Sequence, residues 1–285
     1  MKLLAISGKK SSGKSTLSNF IHGYQLRCFN VIDNFNITED GKLVVETSIR
    51  NNNKEEKGLA FLDVNRRDAD FVDWASYNMW PYVKKYSFAD SLKIIAIELF
   101  DLTQEMAYGT EEQKNQIVPH LLWENMPGVY TDKLAFQFCE CDPEWYNWQY
   151  RAAGPMTARE FLQFFGTEIC RKIYSNVWTN RAIKNIQEEQ SLLAVIDDCR
   201  FKNEADAVKA AGGKVIRLTR SISEDSHDSE NDLNDYSEFD KIIDNQGMSI
   251  HETNLELMKT LEEWGWLGEE IELKKNTTGI QSIKR

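Results

Sequence analysis

Lys2-Leu3-Leu4-Ala5-Ile6-Ser7-Gly8-Lys9-Lys10-Ser11-Ser12-Gly13-Lys14-Ser15-Thr16 is the stretch that decides the fold. Residues 2–7 are a short apolar run and read as a buried strand. Gly8 to Ser15 read as a loop and match G-x-x-x-x-G-K-[ST] in full. In that pattern the glycines let the backbone curl, so that several N–H groups point at phosphate oxygens, and the helix that follows adds the positive end of its dipole. Leu17, Phe20, Ile21 and Tyr24 fall at i, i+3, i+4 and i+7, the apolar stripe of such a helix. Gly8, Lys10, Ser11, Ser12, Gly13, Lys14, Ser15 and Thr16 are therefore the expected cradle of a nucleoside triphosphate. Lys14 reaches its β- and γ-phosphates, and the Ser15 hydroxyl is placed for Mg²⁺.

Bulk properties narrow the partners. The chain has 285 residues, 41% of them hydrophobic, enough for one large α/β domain with decorations. Its net charge of −11 argues against broad binding to duplex DNA, which needs a basic face. Five cysteines, Cys28, Cys139, Cys141, Cys170 and Cys199, fit neither a disulfide framework nor a zinc pattern, and read as free thiols in a reducing cytoplasm. The first apolar run is too short for a signal peptide, and no stretch approaches a membrane span, so a soluble intracellular protein is expected.

Further on, strands alternate with helices. In residues 28–82, Phe35-Asn36-Ile37 and Leu43-Val44-Val45 flank Glu39-Asp40-Gly41, which predicts a hairpin inserted on the surface of the core. The polar run from Asn51 to Lys57 reads as a mobile loop. Val83 to Phe88 reads as a second core strand, followed by a helix with the stripe Leu92, Ile95, Ala96, Leu99 and Phe100. Residues 103–156 are aromatic, with Trp123, Trp145, Trp148 and Tyr150, and weakly periodic. Thr157-Ala158-Arg159-Glu160 is a capping box opening a helix with Phe161, Phe164, Phe165, Ile169 and Ile173 on its face. A helix over 178–190 precedes the apolar run Leu192–Ile196, which reads as a strand buried on both faces. A short helix over 203–211 stops at Gly212-Gly213, and strands follow at 215–218 and 239–243. Ser249-Ile250-His251-Glu252 caps a last helix, and a polar tail occupies 269–285. The fold class is α/β: a three-layer P-loop fold with a central parallel sheet, helices on both faces and an inserted hairpin region. Its ligands belong beyond the carboxyl ends of the strands.

The loop alone does not choose a reaction. Asn53-Lys54-Glu55-Glu56 lacks the Asp of a guanine-reading N-K-x-D motif, which sets a GTPase aside. Asp197-Asp198, at the end of the strand through Ile196, supply a carboxylate for Mg²⁺, with Asp198 placed ahead of Asp197. Lys93, Arg159, Arg200, Arg217 and Arg220 recur at strand ends and helix starts, where a kinase needs positive charge to hold an acceptor phosphate.

These residues carry a family resemblance. Phe88-Ala89-Asp90-Ser91-Leu92-Lys93 resembles the F-A-D-P-L-K segment of tailed-phage deoxynucleoside monophosphate kinases. Arg159 to Gln163, with Phe165-Gly166-Thr167-Glu168, is similar to their R-x-x-L-Q-x-x-G-T-[DE] helix, and Trp178 follows at the family's distance. Asp198-Cys199-Arg200-Phe201-Lys202-Asn203-Glu204-Ala205 resembles D-x-R-F-x-N-E-A, His227-Asp228-Ser229-Glu230 resembles H-x-[ST]-E, and Asp244-Asn245-Gln246-Gly247 resembles a late N-x-G turn. The matches keep family order from residue 1 to about 262 and skip the hairpin and the stretch near 130–150. Ser91 stands where the family has proline, and the insertion lies just before the acceptor segment.

The resemblance implies ATP- and Mg²⁺-dependent phosphorylation of a deoxynucleoside monophosphate, in the cytoplasm of the host if the chain is phage-encoded, with a homodimer as the family's habit. It implies that Leu92, Lys93, Arg159, Gln163, Gly166, Thr167 and Trp178 face the acceptor. Asp198, Arg200 and Glu204 would lie near its sugar and phosphate or the metal, residues 220–238 would form a lid, and Asn245 would lie near the adenine of ATP. Lys14, Arg159, Arg200 and Arg220 are the expected catalytic cations. Two rival readings are a kinase acting on hydroxymethylpyrimidine in phage DNA and a nucleotide-binding switch without net transfer.

Overall fold

Leu3 to Ser7 are all buried, as a strand sandwiched between two helical layers must be, and form β1 (Lys2–Ser7). The computed structural model describes residues 1–51, 54–131, 151–221 and 232–266. At Gly8 the chain leaves the sheet, and it enters α1 (Lys14–Cys28) one residue after Gly13, so Lys14 and Ser15 sit on the first helical turn rather than in the loop. The insertion holds β2 (Asn34–Ile37), β3 (Leu43–Asn51) and β4 (Lys54–Phe61), and then α2 (Ala69–Asn78). The expected hairpin is there, with Ile37 opposite Leu43. The polar stretch expected as a loop instead pairs, β3 against β4 from Val44↔Phe61 to Asn51↔Lys54. The far half of that ladder, from Thr47 to Lys57, has almost no apolar residues, so it offers no alternation to read. α2 is opened by Asp68, whose side chain accepts from the Phe71 N–H. β5 (Val83–Tyr86) returns the chain to the main sheet.

A second unit, Ala89–Trp178, has its own core. It contains α3 (Asp90–Phe100), α4 (Gln104–Tyr108), α5 (Glu111–Lys114), β6 (Ile117–Leu122), β7 (Pro155–Thr157) and α6 (Ala158–Gln163), which widens into π-type turns over Phe164–Arg171. Phe100, Phe161 and Phe165 cluster at its centre, with centroids 4.8 to 5.5 Å apart, beside buried Val118, Met156 and Ala158. The α3 stripe is narrower than expected: Leu92 and Ala96 are buried but Leu99 is 71% exposed. Ile173 is likewise exposed, since the wide turns rotate the helix face away from the spacing of an ordinary helix.

The first unit, Met1–Phe88 with Thr179–Arg285, continues through α7 (Val177–Glu189), β8 (Leu193–Cys199), α8 (Lys202–Ala210), β9 (Lys214–Leu218), β10 (Lys241–Ile243) and α9 (Ile250–Glu263). Its five main strands pair in the order β10-β9-β1-β8-β5, all parallel. Alternate residues of β1 feed opposite cores. Leu4 and Ile6 face Leu17 and Ile21 of α1 and Leu257 and Leu261 of α9, while Leu3 and Ala5 face Ala182 and Ile186 of α7 and Ala205 and Val208 of α8. Each large aliphatic side chain so buried contributes about 1.5–3 kcal/mol. The result is a sheet with helices on both faces whose central strand ends at Gly8.

Candidate active site

At the carboxyl end of β1 the first unit carries the loop that the sequence pattern marks as a phosphate cradle. Ser7 is level with Cys199 of β8 on one side and Arg217 of β9 on the other. The loop that leaves there is held in a curl by left-handed residues, Ser11 at φ 60° and Gly13 at φ 101°. Runs of such conformations turn successive N–H groups inward and make an anion nest. Gly8 is needed for space: a Cβ there would lie 2.4 Å from Ser12 Oγ and 3.1 Å from the Leu218 carbonyl oxygen. The Ser12 hydroxyl is fully buried and has no hydrogen-bond partner, while Ser11 and Ser15 are exposed. Lys14 Nζ donates to the carbonyls of Gly8 at 2.6 Å and Lys9 at 2.7 Å, which folds the ammonium over the curl. Lys10 is exposed on the same loop, and Thr16 packs against Gly41 of the β2–β3 turn.

Asn245 ties this loop to the ends of β9 and β10. Its carboxamide nitrogen donates to the Ser12 carbonyl at 2.8 Å, and its carboxamide oxygen accepts from the Arg220 N–H at 2.9 Å. The Arg220 guanidinium donates to the Asn245 carbonyl at 3.1 and 3.2 Å and also to the Met248 carbonyl. Arg217 donates to Ser7 Oγ at 2.9 Å and lies over the Phe239 ring. Two arginines thus border the loop, Arg217 fixed by Ser7 of β1 and Arg220 by the turn after β10. His227 to Glu230 lie outside the described residues, as does most of the expected lid.

The carboxylate pair belongs to β8 itself, which runs three residues further than the apolar run predicts. The two side chains differ. Asp197 is buried and ion-paired with Lys85 of β5 at 2.8 Å. Asp198 is half-buried and accepts from the Ser87 hydroxyl and, at 3.2 Å, from the Phe88 N–H. Beneath α1, His22 is fully buried, with Nδ1 2.8 Å from the Ser18 carbonyl oxygen. Burial, helped by the Lys85 ammonium, pushes its pKa down to about 4. Sequence reading missed Lys85 and His22; a lysine in a core strand and a histidine inside the predicted first helix were the available signals. Just past β8, Glu204 is 2% exposed, and its carboxylate accepts from the N–H groups of Arg200 at 2.8 Å and Phe201 at 3.1 Å. It closes the start of α8, so Arg200 leaves the strand on a fixed backbone. Among the described residues no cluster of three or more His, Cys, Asp or Glu side chains suits a metal. Mg²⁺ on a nucleotide does not require one, since it takes one or two protein oxygens and completes its shell with phosphate and water.

The second unit gathers the residues that the resemblance assigns to the acceptor. The capping box forms in full, Thr157 and Glu160 each bonding the other's backbone, which places Arg159 in the first turn of α6. Its guanidinium donates to Glu111 of α5 at 2.7 Å. Lys93 Nζ lies 4.4 Å from the centroid of the Tyr108 ring. Gln163 and Thr167 are exposed. At Gly166 the side chain of Leu92 makes the close approach, 2.6 Å from where a Cβ would sit. Trp178 is 5% exposed and donates its indole N–H to the Gly166 carbonyl at 3.1 Å, which fastens the wide turns to the start of α7.

No helix among the described residues is long and apolar enough to cross a membrane. A family model described as deoxynucleotide monophosphate kinase matches residues 2–254. Among curated proteins, the chain is similar to a "Putative deoxynucleotide monophosphate kinase" of Acanthamoeba polyphaga mimivirus. The two are 30% identical over 174 residues, which span 56% of this chain and 73% of the viral protein.

Proposed function

The chain belongs to the deoxynucleotide monophosphate kinase family, and we propose that it moves the γ-phosphoryl group of ATP onto a deoxynucleoside monophosphate held by its second unit. The observation that carries this reading is the Gly8–Ser15 curl at the end of the central parallel strand, with Lys14 folded over it and Asp198 at the end of the adjacent strand.

The chemistry asks little of a general base, because the attacking atom is a phosphate oxygen already ionised near neutral pH. Catalysis then reduces to positioning and charge. On this reading the N–H groups between Gly8 and Ser15, with Lys10, Ser11, Ser12, Gly13 and Thr16, hold the β- and γ-phosphates. Lys14 exchanges its two carbonyl partners for phosphate oxygens and follows the group in transfer. Ser15 and Asp198 would hold Mg²⁺, which would offset the charge of the phosphate oxygens. Asp198 is preferred to Asp197 because Lys85 already neutralises the latter. Arg159 and Lys93 clasp the acceptor phosphate, Arg159 as a fork, and Arg200 adds charge from the end of β8. Arg220 acts from its fixed place beside the loop, and residues 220–238 serve as the lid that excludes water. Gly166, Thr167, Leu92 and Gln163 line the acceptor, and Trp178 supports the turn that carries them. We place the activity in the cytoplasm, in keeping with the free thiols of Cys28, Cys170 and Cys199.

A coupled ADP-release assay over all nucleoside and deoxynucleoside monophosphates tests the reading. Acceptor-dependent ADP release by the wild type should fall by about a hundredfold or more in Lys14→Ala. A folded Lys14→Ala variant with near-normal turnover refutes the scheme.

A further inference from the structure

Arg159 meets a carboxylate inside the second unit, and both partners start from fixed backbone. Glu111 is the first residue of α5, whose start is capped by Thr110 and Gln113, each bonding the other's backbone. Arg159 stands in the first turn of α6, capped in the same way by Thr157 and Glu160. The Ala158 N–H donates to the carbonyl of Gln116, two residues past α5, at 3.0 Å, which ties the start of α6 to the end of α5. The meeting of the two side chains is therefore set by the fold.

Yet the pair is a half-made match. Arg159 Nη2 donates to Glu111 Oε2 at 2.7 Å. Nε lies on the same edge of the planar guanidinium as Nη2, the edge that grips a carboxylate or phosphate through two parallel bonds. Here that edge is half used, because Nε is buried and has no hydrogen-bond partner. The carboxylate, for its part, is easily released. Its side chain is 62% exposed, and its other oxygen, Oε1, lies 4.0 Å from Lys114 Nζ on the same helix. A displaced Glu111 passes to water and to that ammonium, so an exposed ion pair is all that displacement breaks. A pair built for stability is arranged the other way, with both nitrogens satisfied and the carboxylate enclosed. A terminal phosphate, with three oxygens and nearly two charges, can take both nitrogens at once.

We propose that Glu111 is a placeholder for the acceptor phosphate: its carboxylate holds the Arg159 fork while the acceptor site is empty, yields it to the incoming monophosphate, and takes it back as the product leaves. The inference rests on the reading of Arg159 as the clasp of the acceptor phosphate. It makes Glu111 a positioning residue that acts through Arg159. The carboxylate keeps the guanidinium aimed before substrate arrives, and it weakens binding by the ion pair that must be broken. The site is thereby set for turnover rather than for the tightest hold.

Calorimetric titration of the full chain with dAMP, dGMP, dCMP and dTMP tests it, in a cycle of wild type, Glu111→Gln, Arg159→Ala and the double variant. Arg159→Ala should weaken the best-bound monophosphate by about tenfold or more. Glu111→Gln should tighten it about three- to fivefold, the worth of one exposed ion pair. In the double variant that gain should vanish, because the carboxylate then has no fork to occupy. Unchanged or weaker binding in Glu111→Gln, beside the expected loss in Arg159→Ala, overturns the placeholder and spares the acceptor reading. An equal gain with and without Arg159 also overturns it, since Glu111 would then act only as a distant negative charge. A wild type that binds none of the four, or an Arg159→Ala variant that binds as wild type does, overturns the acceptor reading and the inference together.

Discussion

His22 should make this protein lose stability in mild acid, by an amount that the structure fixes. The imidazole is fully buried on α1, two turns beyond Lys14, and no partner reaches its Nε2. Burial is the main cause of its lowered pKa; the Lys85 ammonium adds to it, and the Ser18 carbonyl and Asp197 oppose it. Above about pH 6.5 the ring is neutral in both folded and unfolded chains and favours neither. As the pH falls through 6.5 the unfolded chain takes up a proton that the folded chain refuses until about pH 4. Stability therefore drops across that window and levels off below it. At 1.36 kcal/mol for each pH unit, the gap from 6.5 to about 4 is worth roughly 3 kcal/mol. Titrating carboxylates add their own slope, so the test is a difference. Urea unfolding of wild type and His22→Gln, whose amide can still donate to Ser18, should be compared from about pH 7 to about pH 4.5. The wild-type advantage should shrink by roughly 2–3 kcal/mol over that range. Parallel profiles would refute the claim that the ring is held neutral in the fold.

Three further variants probe how the site is held. Trp178→Phe removes the buried indole bond to the Gly166 carbonyl, so it should cost about 0.5–1.5 kcal/mol in unfolding and raise KM for the monophosphate while KM for ATP stays put. Asn245→Ala cuts the links to the Ser12 carbonyl and the Arg220 N–H; KM for ATP should rise about tenfold or more, roughly the value of one or two hydrogen bonds, with the acceptor KM unaffected. Glu204→Ala leaves the Arg200 and Phe201 N–H groups without their carboxylate and should lower unfolding stability by about 1–3 kcal/mol, read by urea titration.

How much of this was legible depends on whether the constraint was local. The Gly8–Ser15 curl needs its glycines whatever surrounds it, and the capping boxes at Thr157 and Ser249 close within four residues, so each could be read from sequence and each is found. The parallel sheet was legible for a related reason, since Leu3–Ile6 and Leu193–Ile196 are apolar on both faces. What could not be read depends on register between distant segments. Nothing near Asp197 in the chain distinguishes it from Asp198; only Lys85, brought alongside by the pairing of β5 with β8, removes one of the two from contention for a metal. The far end of the β3–β4 ladder is illegible because the sequence there, Asn51 to Lys57, is all polar. Glu204 makes the same point about motifs. Family order sets it beside the acceptor, and its hydrogen bonds give it a backbone to hold, yet the two statements are compatible: a carboxylate that fixes the Arg200 main chain governs where that guanidinium can go. The same logic runs through Asn245 for Arg220 and Trp178 for Gly166. A transfer reaction between two polyanions needs cations whose positions do not relax when charge moves, and in this chain that rigidity comes from buried polar groups bonded to backbone, one residue removed from the side chains that would meet phosphate.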